Sequence, residues 1–212
     1  MEKYYITGAV ALIIIIGGGY YFLSVKTAVQ NQPLEQTEVP MQVATSTYAT
    51  STFSVVYPSV YTKDDMYAYS QVDPKKPIHG VRFTIPPMPG TNLSSDTYVS
   101  VEQLPRAKKC TGDIYLAANV KSQPLSDNGV EYSVATSSNT SAENLYEEMV
   151  YALPNSSPCT AVRYVVHSTS MDNYASSTPA QFDRTALFEA FDTIRRSLTL
   201  GSAPIVEPVM TP

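Results

Sequence analysis

Hydrophobic and polar positions follow several distinct patterns along this chain. Residues 4–25 form an uncharged apolar run of 22 residues, with Tyr4 and Tyr5 at one end and Tyr20, Tyr21 and Phe22 near the other. As a helix rising 1.5 Å per residue this run reaches ~33 Å, enough to cross a ~30 Å hydrocarbon core with its aromatic rings at the interfaces. Residues 27–47 then lose all periodicity: four Gln, two Pro and no aromatic residue predict a flexible spacer with an r.m.s. span of ~25 Å. From residue 48 the pattern alternates with a period of two. Phe53, Val55 and Tyr57 share one face, Val81, Phe83 and Ile85 another, and Val99 and Val101 a third. Residues 130–136, 145–153 and 161–168 are further strand-like runs, with gaps short enough for antiparallel neighbours and a tight turn at Asn128-Gly129. A short helix is predicted between Gly112 and Val120.

The last pattern has a helical period. Phe182, Ala186, Leu187, Ala190, Phe191, Ile194 and Leu198 recur on one face, behind a capping box at Thr178-Pro179-Ala180-Gln181. Gly201 and Pro204 supply the stop, which predicts a helix of about 20 residues lying on the sheet. The expected fold is therefore α+β: an antiparallel sheet covered by helices, including a long C-terminal one, preceded by one transmembrane helix. The expected organisation is an anchor at 1–26, a linker at 27–47, an extracytoplasmic domain at 48–200 and a disordered tail at 201–212.

Charge orients the anchor. Lys3 and Lys26 flank the run nearly equally, but residues 27–62 contain no Lys or Arg, which predicts a cytoplasmic amino terminus and an exported domain. Cleavage as a signal peptide after Gly19 would leave a mature chain starting Tyr20-Tyr21-Phe22-Leu23, an unsuitable start, so the run is read as an uncleaved anchor. Setting aside Glu2, Lys3 and Lys26 from the 14 basic and 19 acidic residues leaves 12 against 18, a net charge of −6. That balance opposes binding to a phosphate backbone, so no nucleic-acid partner is expected. The basic cluster Arg106, Lys108 and Lys109 is read as a solvated turn.

Two stretches resemble a known family. Phe53-Ser-Val-Val-Tyr-Pro-Ser-Val-Tyr61 is similar to the opening F-x-x-x-Y-P-x-x-W strand of PsbP/Mog1-like domains, with Tyr61 where that family commonly has Trp. The stretch from Phe182-Asp183 to Phe191-Asp192-Thr193-Ile194-Arg195-Arg196-Ser197-Leu198 resembles their closing helix. The resemblance implies an antiparallel sheet sandwiched by helices and an accessory or binding role without catalysis. It transfers no functional residue to this chain.

Candidate chemistry is sparse. Cys110 and Cys159 are the chain's two cysteines, and an even count in an exported domain predicts a disulfide worth ~4 kcal/mol through closure of a loop of about 50 residues. A nucleophilic Cys159–His167 pair, or a zinc site from both Cys with His79 and His167, can be drawn. The scattered spacing lacks the close ligand pairs of zinc sites. On the strand at 161–168, Arg163, Val165 and His167 share a face, with Glu147 or Met149 expected opposite Arg163. Neither a G-x-S-x-G elbow nor a phosphate-binding loop occurs, and Asp64-Asp65 and Asp172-Asn173 lack a calcium-loop pattern. No catalytic, cofactor or metal residues are assigned.

The chain has 16 Tyr and no Trp, and 12 of the Tyr lie beyond the anchor. Tyr fits half-covered strands, and it also lines binding grooves. The expected function is a membrane-anchored binding module that docks on an envelope protein, held in the membrane by residues 4–25. The alternatives are a domain for a glycan or small solute, and a thiol or metal hydrolase.

Overall fold

The segments that alternate with a period of two become strands, and so do several polar segments between them. A computed structural model of the chain describes residues 43–171, 174 and 179–201. The strands are β1 (Thr45–Ala49), β2 (Phe53–Pro58), β3 (Thr62–Asp64), β4 (Ala68–Tyr69), β5 (Ile78–Thr84) and β6 (Tyr98–Leu104). After a 3₁₀ turn at Gly112–Tyr115 come β7 (Gln123–Asp127), β8 (Val130–Ser141), β9 (Asn144–Ala152) and β10 (Cys159–Thr169). One α-helix, α1 (Arg184–Arg196), precedes β11 (Thr199–Leu200). All strand pairs are antiparallel. An eight-stranded sheet runs β3-β5-β6-β10-β9-β8-β7 with β4 on β5, and a three-stranded sheet runs β1-β2-β11.

The expected α+β class, with helices covering the sheet, is therefore corrected: the described chain is mostly antiparallel strand, with one helix of 13 residues. The physical reason lies in the polar segments. Residues 137–144, read as a gap, continue β8 and β9 to a two-residue turn at Ala142-Glu143, where both φ angles are positive, 47° and 69°. Ser, Thr and Asn there satisfy the backbone in a cross-strand ladder while their side chains face water. The strand β1 also starts at Thr45, inside the stretch read as spacer.

No helix among the described residues is long and apolar enough to cross a membrane. The transmembrane helix expected at 1–26, most of the linker and the tail beyond Gly201 lie outside the described residues.

The sheet's first face is the larger core. Val81, Phe83, Val99, Val101, Val162, Tyr164 and Val166 are buried there against Phe53 and Val55 of β2 and against Leu187, Phe191 and Ile194 of α1. The helix starts later than its stripe predicts. Ala180 bridges Thr91, and the Phe182 N–H donates to Asn92 Oδ1 at 3.0 Å, so the chain is still extended there. Asp183 is the N-cap, accepting from the Ala186 N–H at 3.0 Å. Arg195, placed off the apolar stripe by its periodicity, is buried. Its guanidinium bonds Asp127, Asp192 and the Tyr164 hydroxyl and lies 4.4 Å from the Tyr151 ring centroid. The helix is thus held to its sheet by charge as well as by apolar area.

Candidate functional site

The second face of the eight-stranded sheet carries the unusual chemistry. In the register of β6, β10, β9 and β8, this face presents Tyr98, Ser100 and Glu102, then Ala161, Arg163, Val165 and His167, then Glu148, Val150 and Ala152, then Ser133, Ala135 and Ser137. Small residues cluster at one end, and the 3₁₀ turn packs directly on them. A Cβ added to Gly112 would lie 2.7 Å from Ser133 O and 2.7 Å from Ala135 N, so only glycine permits that approach. The Gly112 N–H donates to Ser133 Oγ at 3.2 Å, and the Tyr115 hydroxyl donates to Cys159 O at 2.7 Å. The disulfide between Cys110 and Cys159, Cα atoms 5.2 Å apart, fastens the same loop to the start of β10. This face is therefore covered by a stapled loop and by tyrosines, where helices were expected.

At its centre sits a buried ion network. Arg163 is wholly buried and reaches Glu102 through Nε at 2.7 Å and Nη2 at 2.9 Å. Its Nη1 donates to Glu148, and Nη2 also donates to Tyr115 O at 2.7 Å. Glu102 is equally buried and accepts from Ser100 Oγ at 2.8 Å and from the Tyr67 hydroxyl at 3.3 Å. Desolvation works against the Arg163 charge, but the attraction and hydrogen bonds of Glu102 outweigh it and raise its pKa above the ordinary arginine value. The guanidinium lies 3.6 Å from the Tyr69 ring centroid. The Tyr69 hydroxyl donates to Glu148, at 2.7 Å and 2.9 Å to its two oxygens.

Above the network opens a cleft of about 780 Å³. Tyr67, Tyr69, Tyr98 and Tyr146 form its aromatic walls, Val165 and Glu148 lie between them, and Ser70, Gln71, Ser137 and Asn139 form a polar rim. Burial pushes the Tyr67 and Tyr69 hydroxyls well above the usual phenol value and Tyr98 up to about 12. All three therefore stay protonated donors at neutral pH. Tyr146 is 36% exposed and stacks on His167 with ring centroids 4.2 Å apart. His167 Nδ1 is 2.7 Å from Asp96 Oδ1, which orients the imidazole. A smaller hollow of about 320 Å³ on the opposite face contains Glu147 and Arg184, but these two charges pair with each other.

Sequence reasoning correctly joined Cys110 to Cys159. The bonded sulfurs leave no thiolate for a Cys159–His167 nucleophile, and the two residues stand at opposite ends of β10. The zinc set loses its thiolate ligands for the same reason. Among the described residues no group of three or more His, Cys, Asp or Glu could hold a metal ion. The expected Glu147–Arg163 pair is corrected by the register: Val150 stands opposite Arg163, and Glu148, two residues from Val150, shares its face. Glu147 points to the other face and pairs with Arg184. A Tyr-lined groove was one of the two readings of the Tyr content, without the residues that form it; the partnership of Glu102 with Arg163 escaped the sequence reading. The signal of that pair is a charged residue interrupting each of two apolar strands, Val99-Ser-Val-Glu102 and Ala161-Val-Arg163.

The fold and site define a two-sheet antiparallel β protein with an open, tyrosine-walled cleft over a buried ion network. No protein-family model matches the chain, and no curated protein matches it. Among solved structures it is similar to a protein from Bacteroides thetaiotaomicron, with 9% identity, 76% of this chain and 49% of that chain covered, and a TM-score of 0.43. The chain thus spans about half the length of that protein.

Proposed function

We propose that this protein is a membrane-anchored, extracytoplasmic binding module whose tyrosine-walled cleft holds a glycan or a small hydroxyl-rich solute. The observation that carries this reading is the concavity itself. A cleft of about 780 Å³ lies within the size range of small-ligand sites, and its lining combines aromatic faces with a few convergent polar groups. Tyrosine faces stack on the apolar faces of sugar rings, while Glu148 and the Ser and Asn rim accept and donate to hydroxyls. The disulfide supports an oxidising compartment, in keeping with an exported domain. Residues 4–25 have the length and apolarity of an anchor.

The test is equilibrium binding of the full-length protein, in detergent micelles, to a panel of oligosaccharides and small polyols. Saturable binding that Tyr146→Ala weakens about tenfold is the expected result. Tyr146 is exposed, so its loss should leave the fold intact. A panel without a single Tyr146-dependent binder would overturn the reading.

A second reading, docking on an envelope protein, has one specific feature in its favour. The strand β7 pairs with β8 only from Val130 to Val134, so among the described residues the outer edge of residues 135–141 is unpaired and could accept an added strand. Crosslinking in the native membrane that captures one envelope protein through this edge would favour it.

A further inference from the structure

The cleft's charge narrows its ligand. Arg163 spends its Nε and Nη2 on Glu102, so these two buried charges compensate each other. Glu148 takes the remaining Nη1 and the Tyr69 hydroxyl, and the network as a whole still holds two carboxylates against one guanidinium. The Glu148 side chain is 24% exposed and lies in the cleft wall, where among the described residues it is the one charged lining group. The network's excess negative charge meets the cleft at Glu148 and attracts a ligand cation; the exposed ring of Tyr146 favours it too, whereas the Tyr67, Tyr98 and Tyr69 rings already carry the Arg82 and Arg163 guanidiniums. Around it, Ser70, Gln71, Ser137 and Asn139 offer hydroxyls and amides suited to neutral, hydroxyl-bearing parts of the same ligand.

We infer that the cleft is selective for an amino sugar, a glycan unit carrying a free ammonium group that pairs with Glu148 while its ring stacks on Tyr146. The inference rests on the cleft-binding function proposed above and adds the ligand's charge to it.

Two probes separate the claims: the β-linked glucosamine tetramer with free amines, and its fully N-acetylated counterpart. Both are titrated calorimetrically into the full-length protein in detergent micelles, at low and high salt, with a lysine tetrapeptide as a third arm. The amine tetramer should bind about tenfold more tightly than the acetylated one, as one charge-assisted hydrogen-bonded pair predicts. The preference should shrink at high salt and vanish in Glu148→Gln, while Tyr146→Ala weakens both sugars. The wild-type comparison stands even if Glu148→Gln fails to fold.

Equal, Tyr146-dependent binding of the two tetramers would overturn the ammonium assignment and leave the cleft function standing. Binding of the lysine peptide without the amine tetramer would overturn the amino sugar. Absence of binding by either sugar, or binding indifferent to Tyr146→Ala, would overturn the inference, and the cleft function with it only if the wider panel also yields no Tyr146-dependent binder.

Discussion

Arg163 shows how one residue organises a whole face. It is a guanidinium with no solvent contact, and it exists there because Glu102, Glu148 and the Tyr115 carbonyl take up its donors. Removing one partner of such a network leaves an uncompensated buried charge. Arg163→Ala should therefore destabilise the protein by about 3–5 kcal/mol in urea unfolding, whereas the paired replacement Glu102→Met with Arg163→Met should cost clearly less, because the carboxylate it leaves without Arg163, Glu148, is partly exposed. A single mutant as stable as the pair would show that the network carries no such coupling. Charged residues were visible within these two strands, but the sequence could not say which carboxylate meets Arg163. A register shift of one residue exchanges Glu147 for Glu148 and sends each to the opposite face.

Asp127 makes the acid dependence legible at the same scale. Hydrogen bonds from Arg196 and Arg195 hold its carboxyl below the ordinary value of 3.8. A group depressed on folding contributes stability above its unfolded pKa, and that contribution is lost as pH falls through the folded value. Stability should accordingly fall below about pH 4, and Asp127→Asn should flatten that decline while lowering stability at pH 7. Urea midpoints at pH 7 and pH 3 decide it; an unchanged acid slope in the variant would contradict the clamp.

Among the elements, the helix and the β8–β9 hairpin differed most from their sequence patterns. The apolar stripe of α1 was evident: its Leu187, Phe191 and Ile194 are buried, although Ala186 is exposed and Arg195, off the stripe, is buried with them. Its start was not evident, because the extended segment before it is fixed by contacts with Thr91 and Asn92, some 90 residues away in sequence. Phe191→Ala should cost about 3–5 kcal/mol, as loss of a wholly buried aromatic side chain does. The hairpin was hidden by its polarity: Ser, Thr and Asn in succession look like loop, yet Ser133–Ala152 through Ser141–Asn144 form one continuous register.

The hairpin's turn also conflicts with local preference. Ala142 holds φ 47°, a left-handed conformation that Asn tolerates better. Ala142→Asn should raise stability by about 0.5–1 kcal/mol, readable as a higher Tm. A lower Tm would show that the turn is not as strained as its dihedral angle indicates.

For the whole molecule, two differently covered faces divide the labour. One is a conventional core under α1 and the small sheet. The other is closed at one end by a loop that Gly112, Tyr115 and the disulfide fix in place, and open at the other end as the tyrosine cleft. The abundance of Tyr and its two possible uses were plain from the sequence, but which Tyr serves which was not. Tyr132, Tyr151 and Tyr164 pack in the core, while Tyr67, Tyr69, Tyr98 and Tyr146 wall the cleft. Strand alternation alone assigns residues to faces and cannot say which face stays open. Because the loop is stapled, reducing Cys110–Cys159 should lower stability by about 4 kcal/mol in the chain-entropy account.

The most direct test of the account is NMR of the full-length protein in detergent micelles with labelled tyrosine rings, titrated with the glucosamine tetramer. The absence of Trp leaves Tyr as the natural reporter, and the two groups of rings serve as site and control. A ligand in the cleft shifts Tyr67, Tyr69, Tyr98 and Tyr146 and leaves Tyr132 and Tyr164 unmoved. Shifts confined to the core tyrosines, or none at saturating ligand, would contradict it.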